Sequence, residues 1–236
     1  MADAPLHSSP DAARRASPPS DTIAYHLAEL EVARSPSDPR HVMPEVPRTV
    51  RAVLDVGCGA GQTLIALTLP DGPVLRCGVD VDQAALVLGR SLDGTLALAR
   101  APGEALPFAD ESFDFVLCRV ALPYMDVARA TREMARVLRP GGRVWLALHP
   151  MSFALAELAR HARLAQPKGV LYQLYVLANG IALHAGGRQF RFPLGARAFE
   201  SVQTERGIWR ALERAGFGGV AVRRDRFFVV TAEKIG

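Results

Sequence analysis

From Val50 onward the chain alternates between two hydrophobic periods. Five short runs, Val50 to Val56, Val74 to Asp80, Thr95 to Ala99, Phe113 to Arg119 and Arg143 to Leu148, read as strands. Between them, Gly61 to Leu69, Gln83 to Arg90 and Asp126 to Leu138 carry helical spacing. Runs such as Phe115-Val116-Leu117 and Val144-Trp145-Leu146-Ala147-Leu148 have no polar face. Such strands belong in a sheet covered on both sides, so the pattern predicts an α/β fold with a doubly wound, mostly parallel sheet. A helix over Thr204 to Ala215, stopped by Gly216, and two strands near Val220 to Arg224 and Phe227 to Ala232 complete a seven-stranded set. The last two strands, joined by a short polar turn, are expected to be antiparallel.

Two regions depart from this rhythm. Residues 1–20, with Pro5, Pro10, Pro18 and Pro19, read as a disordered tail. Residues 21–49 combine a helix, with Ile23, Leu27 and Leu30 in phase behind an expected Asp21 cap, and a linker holding Pro36, Pro39, Pro44 and Pro47. The organised domain spans 50–236. Within it, 151–199 reads as a substrate-side insertion over the carboxyl edge of the sheet. A helical run from Ser152 to Leu164 and a second apolar run are followed there by Ile181 to His184 and Arg188 to Phe192, flanking Ala185-Gly186-Gly187. Alternation on either side of a Gly-Gly pair predicts a β-hairpin.

Composition narrows the class. The chain has 236 residues, 49% hydrophobic and 22% charged, with net charge +4, which excludes a wholly disordered chain, a collagen repeat and a disulfide-stapled miniprotein. The apolar stretches Val144 to Ala159 and Val170 to Leu183 are polar-interrupted and shorter than the roughly 20 residues of a membrane span. The start has no apolar signal region, so a cytoplasmic location is expected. Cys58, Cys77 and Cys118 have no CxxC spacing and read as reduced thiols, with no metal site expected. Nearly all the basic residues are Arg, and they are scattered, which counts against a general nucleic-acid binder. One asymmetry stands out: from Arg139 to Phe199 eight basic residues face Glu157 alone, and either an anionic substrate or a solvated face accounts for it.

The informative stretch is Val53-Leu54-Asp55-Val56-Gly57-Cys58-Gly59-Ala60-Gly61, a strand running into glycines and then a helix. Glycines permit positive φ and a close ligand, and the helix N-terminus offers unpaired N–H groups. A nucleotide-like ligand outside the carboxyl ends of the strands is expected. The third glycine of GxGxxG is replaced by Gln62, and no Gly-Lys-Ser/Thr follows, so a dinucleotide and a P-loop phosphate both fit poorly. Asp55 at the loop entrance suits an ammonium group. Asp80, nineteen residues after Gly61, stands near the separation at which a carboxylate binds ribose hydroxyls. A ribose, an amine and no phosphate describe S-adenosylmethionine.

Four blocks then carry a resemblance: Leu54 to Gly61; Gly78-Val79-Asp80-Val81-Asp82; Glu104-Ala105-Leu106-Pro107-Phe108-Ala109-Asp110-Glu111-Ser112-Phe113-Asp114; and Arg136-Val137-Leu138-Arg139-Pro140-Gly141-Gly142. In this order they resemble the class I S-adenosylmethionine-dependent methyltransferases with their Rossmann-like fold, in particular the ubiquinone- and menaquinone-biosynthesis type. The resemblance is close over Arg51 to Arg143 and looser over the last thirty residues. It implies that Asp55, Gly57, Cys58, Gly59 and Gly61 hold the methionine and ribose portion, that Asp80 takes the ribose hydroxyls, and that Val81 lies against the adenine. Glu104, Ala105 and Leu106 would cover the other side of the adenine, and Cys118 with Arg119 would face the methionine part. Pro102 stands where relatives often carry an Asp for the adenine amino group.

The substrate side is expected at Tyr124, in Leu122-Pro123-Tyr124, and at His149, at the end of the fifth strand. Near neutral pKa, His149 is a candidate base for an acceptor hydroxyl. Leu122-Pro123-Tyr124 lacks the Asn or Asp of the base-methylating motif, which counts against exocyclic amines of nucleic acids. Asp82 reads as a helix cap, and Cys58 and Cys118 as passive. Phe153, Tyr172, Tyr175, Phe190 and Phe192 are candidates to roof a pocket, and Tyr25 and His26 to close over the cofactor. The leading expectation is methyl transfer to a small-molecule acceptor; methylation of RNA or protein, and a cofactor-binding inactive subunit, are the alternatives.

Overall fold

The computed structural model describes residues 19–192, 199–224 and 227–236. Arg197 and nearly all of the expected 1–20 tail lie outside them. The chain runs α1 (Pro19–Arg34), β1 (Ala52–Val56), α2 (Gln62–Ala66), β2 (Leu75–Asp80), α3 (Gln83–Leu92), β3 (Ala97–Arg100), β4 (Phe113–Arg119), a 3-10 turn (Leu122–Tyr124), α4 (Val127–Val137), β5 (Leu138–Leu148), α5 (Met151–Arg163), α6 (Pro167–Gly186), α7 (Glu205–Arg214), β6 (Phe217–Arg224) and β7 (Phe228–Lys234).

All seven strands form one sheet in the order β3-β2-β1-β4-β5-β7-β6. β1 to β5 are parallel, and β7 pairs antiparallel with both β5 and β6. Alternate residues feed two cores. Leu54, Val56, Val116, Cys118 and Leu146 pack on one face with Met134 of α4 and Ile208 of α7. Val53, Phe115, Leu117 and Trp145 pack on the other with Leu64 of α2 and Leu86 of α3. Burial of β1 on both faces explains its unbroken apolar run. The chain order reverses between β1 and β4, which places the crevice at their carboxyl ends.

Local signals set the helix ends. Asp82 accepts from the Ala84 and Ala85 N–H groups, Asp126 from Arg129 and Thr204 from Gly207. α1 opens two residues earlier than expected, leaving Asp21 in its first turn rather than at the cap, where a carboxylate still favours the helix dipole.

The hairpin expected around Ala185-Gly186-Gly187 does not form. Ile181 to His184 belong to the twenty-residue α6, and Gly187, at φ 67, is its left-handed C-cap. Short apolar runs satisfy both periods, and tertiary contacts decide here. Gly180 lets α6 approach the chain at Val202, where a Cβ would stand 2.8 Å from the Val202 carbonyl. The buried Asn179 donates to the Phe190 and Glu200 carbonyls (both 2.9 Å) and accepts from the Phe190 N–H (2.6 Å). That amide pins the segment expected as the second hairpin strand. Among the described residues no helix is long and apolar enough to cross a membrane.

Candidate active site

The loop between β1 and α2 is built on three left-handed glycines, Gly57 (φ 77), Gly59 (φ 55) and Gly61 (φ 76). The N–H groups of Gly57 and Cys58 both donate to the Val79 carbonyl (2.8 and 3.0 Å), which ties the loop to the end of β2. Asp80 braces the same corner: one carboxylate oxygen accepts from the Gly59 N–H (2.8 Å) and the other from Asp82 N–H (2.9 Å). Each oxygen keeps a lone pair for a further donor. Asp80 is thus a structural brace as well as a candidate ribose acceptor.

Asp55 lies beneath this loop, only 1% exposed, and its Oδ1 has no hydrogen-bond partner. Burial pushes its carboxyl up to about 8, against the pull of the nearby Arg119 guanidinium. Arg119 mirrors it: its Nε is buried and also has no hydrogen-bond partner, while its Nη2 pairs with Glu29 of α1 at 2.9 Å. Two complementary orphan groups, an acceptor and a donor, therefore stand at the carboxyl ends of β1 and β4. Cys58 and Cys118 are buried, and burial raises both thiols, so they fill space beside the loop.

Helix α1 covers the loop. Gln62 Nε2 donates to His26 Nδ1 at 2.7 Å, so the ring accepts there and is neutral. Burial lowers the His26 pKa, although Asp80, Asp82 and Glu29 pull it up. This contact lays His26 beside the glycine loop, 2.9 Å from where a Cβ on Gly59 would stand. Glu29, which also reaches Arg40 at 3.5 Å, carried no motif and was invisible in the sequence.

The adenine side is less uniform. Val81 is 45% exposed, Ala105 and Pro102 are exposed, and Leu106 is buried. Glu104 does not simply replace the missing Asp: its Oε1 already accepts from the Asp126 N–H at 2.8 Å. Arg136 of the fourth sequence block holds the third block in place. It donates to the Phe108 and Leu106 carbonyls (2.8 and 3.0 Å) and to Asp110 and Glu133, while Glu133 accepts from the Leu106 N–H (2.8 Å). Arg136→Ala should cost about 2 kcal/mol through these orphaned groups, read as a fall of roughly 4 to 8 °C in melting temperature. Arg136→Lys, which cannot fork, should recover only part of it.

Tyr124 and His149 come together at a second place. Both line a cavity of about 30 Å³ between the 3-10 turn, the end of β5, α5, α6 and residues 200–203. His149 is half-buried and stacks on Phe153 with ring centroids 4.4 Å apart. Of the five aromatics expected to roof a pocket, Phe153 alone lines this one. Tyr172, Tyr175 and Phe192 cluster with each other instead, and Phe190 is exposed. The glycine loop and this cavity share a boundary. A Cβ on Gly57 would meet Ala121 and Met125, which bracket the turn whose Pro123 and Tyr124 line the cavity. Val120, leading into that turn, holds φ 60, a rare state for a β-branched residue and one that concentrates at functional sites.

The described residues lining the cavity include no Lys or Arg. Three of the eight basic residues of 139–199 pair with acids elsewhere, Arg139 with Asp114, Arg143 with Glu233 and Arg160 with Glu157, and none of the described lining of this cavity comes from that surplus.

Residues 54–146 match a family model described as a methyltransferase domain. The chain is 36% identical over 133 residues to the uncharacterized methyltransferase YcgJ of Bacillus subtilis, a match covering 52% of this chain and 51% of that protein. It is 34% identical over 185 residues to a demethylmenaquinone methyltransferase of Roseiflexus, covering 75% and 72%. The chain spans about half the length, or less, of the first curated relatives it matches. A SAM-dependent methyltransferase from Methanosarcina mazei superposes with a TM-score of 0.53 at 21% identity, over 80% of this chain and 94% of that one, and shows the same fold. Because the Roseiflexus match runs through most of both chains and takes in far more than the glycine loop, the chain belongs to the class I S-adenosylmethionine-dependent methyltransferases.

Proposed function

We propose that this chain transfers a methyl group from S-adenosylmethionine to a small-molecule acceptor seated at the Tyr124–His149 cavity. The observation that carries the reading is the orphan pair beneath the glycine loop. Asp55 Oδ1 can accept from an α-ammonium and Arg119 Nε can donate to an α-carboxylate, the two charged groups of a free amino-acid end. Asp80 keeps lone pairs for ribose hydroxyls, and Val81 and Leu106 offer apolar surface for adenine. These residues fit the cofactor, which when bound supplies a methyl group activated on a sulfonium.

The chain's own contribution is alignment and exclusion of water. Holding an acceptor in line can supply roughly 7 to 11 kcal/mol of barrier reduction. The shared boundary at Ala121 to Met125 is the element that sets this alignment. Helix α1, through His26 on Gln62 and Glu29 on Arg119, keeps solvent from the loop. His149 is placed to take a proton from an acceptor that must lose one. A lining without Lys or Arg among the described residues favours a small acceptor over a polynucleotide, whose phosphates demand those residues. A relative covering most of the chain is named a demethylmenaquinone methyltransferase, which supports a non-polymeric acceptor. Three free, buried cysteines support a reducing compartment such as the cytoplasm.

Calorimetry with S-adenosylmethionine and its demethylated product tests this reading. The intact protein should bind both, and Asp80→Ala should weaken binding at least about tenfold, since it loses both the ribose contacts and the Gly59 brace. A folded protein that binds neither ligand would overturn the assignment.

A further inference from the structure

Gln203 is 2% exposed and lines the small cavity beside Tyr124, His149 and Glu200. Its Nε2 donates to the Ser201 carbonyl (2.8 Å) and to Ser201 Oγ (3.0 Å). A carbonyl only accepts, so these bonds fix which end of the amide is which. They leave Oε1 buried and without a hydrogen-bond partner. Buried acceptors in folded proteins are almost always satisfied, and an exception calls for an explanation.

The amide cannot turn away. Ser201 Oγ also accepts from Gln189 Nε2 (2.7 Å), and Gln189 in turn accepts from the Val127 N–H (2.7 Å) at the start of α4. Ser201 donates its own N–H to the Pro123 carbonyl (3.0 Å) of the 3-10 turn. Gln203 is therefore held by a chain of bonds anchored on the same turn that borders the glycine loop. Beside it, Glu200 presents a carboxylate that takes the Tyr172 phenol. Of the acceptors in the lining, Glu200 is thus engaged and Gln203 Oε1 is unpaired, and the described residues there include no Lys or Arg.

We infer that Gln203 is a specificity-determining residue: its Oε1 recognises a neutral or cationic hydrogen-bond donor, a hydroxyl or an amine, on the methyl acceptor. At about 30 Å³ the cavity holds one such group rather than a whole molecule, so the donor end enters and the remainder of the acceptor extends outside. The inference rests on the acceptor site proposed above. A site built to accept a hydrogen bond rejects an analogue without the donor, because the amide oxygen is then left buried and unpaired.

The test uses matched probes on the full chain saturated with the demethylated cofactor. Phenol and aniline carry the donor, anisole and N,N-dimethylaniline lack it, and benzoate is the anionic control; affinities come from chemical-shift titrations. Wild type should prefer each donor to its methylated partner by roughly 10- to 100-fold and should bind benzoate worst. Gln203→Met should reduce that ratio to about one, whereas Gln203→Glu, which keeps an acceptor, should retain it. Cofactor affinity reports whether each variant is folded, and if Gln203→Met is not, the wild-type ratio and Gln203→Glu still decide. Equal binding of donors and ethers, no binding of phenol or aniline by wild type, or a preference that survives Gln203→Met would each overturn the proposal. Those results with cofactor binding intact sink this inference alone; a donor preference without cofactor binding sinks the methyltransfer reading alone.

Discussion

Replacing Asp55 by Asn is expected to weaken S-adenosylmethionine binding by on the order of 100-fold at pH 8 while raising the melting temperature at the same pH. Both effects follow from one buried carboxyl. In the free protein its pKa lies near 8, because burial penalises the charged form more than Arg119 favours it. An ammonium and a sulfonium on the ligand favour the carboxylate, so binding below pH 8 must expel the proton. Wild-type affinity should therefore climb by up to about tenfold per pH unit as pH rises toward 8, then level off. Asn cannot ionise, and its curve should be flat across the same range.

Stability runs in the opposite direction. The folded pKa of about 8 stands above the ordinary 3.8, so the native state holds a proton that the unfolded chain releases between those values. Folding stability contributed by this group is complete below the lower value and falls as pH rises through the window, by up to about 1.4 kcal/mol per unit. Asn escapes this loss. Its thermal advantage should be largest near pH 8 and should vanish toward pH 4, a trade of stability for function common at binding sites. Melting curves and calorimetry across the range check both arms, and a wild-type affinity independent of pH would remove Asp55 from the ligand.

Gly57→Ala is the second large effect, expected to destabilise the fold by roughly 2 to 5 kcal/mol and to abolish cofactor binding. Two costs combine. The residue sits at φ 77, where an L side chain is strained, and its new Cβ would stand 2.3 Å from the Ala121 Cβ, an atom fixed to the backbone of the boundary turn. Gly72 separates the two: at φ 95 with nothing within 4 Å of its Cβ, Gly72→Ala meets the strain alone. That variant should lose only about 1 to 2 kcal/mol. Pairing Gly57→Ala with Ala121→Gly should recover the steric part and leave a residue near the Gly72 value. A double variant no better than Gly57→Ala would show that the contact is not the cause.

The sheet was readable because its strands are buried on both faces, a condition that leaves no polar positions in Phe115 to Leu117 or Val144 to Leu148. Asp82 was readable as a cap because capping is a contact between near neighbours. The glycine loop was readable for a similar reason: Gly57, Gly59 and Gly61 each adopt the backbone state that makes glycine informative. The hairpin pattern is ambiguous because Ile181 to His184 fits both periods locally. What selects the helix is distant, the Val202 backbone against Gly180 and the Phe190 and Glu200 carbonyls on Asn179.

The chain alone therefore determined the elements, their alternation, the loop that turns toward a ligand and the acids at its two ends, since each depends on burial period or on neighbours a few residues apart. Tertiary structure decided which side chains are left unsatisfied. Arg119 Nε, Asp55 Oδ1 and Gln203 Oε1 are orphans only in the folded chain, where Glu29 of α1 holds Arg119 and Ser201, itself tied to the 3-10 turn, holds Gln203. A buried polar atom declares its purpose through the bonds it lacks, and those are settled by residues up to ninety positions away in the chain.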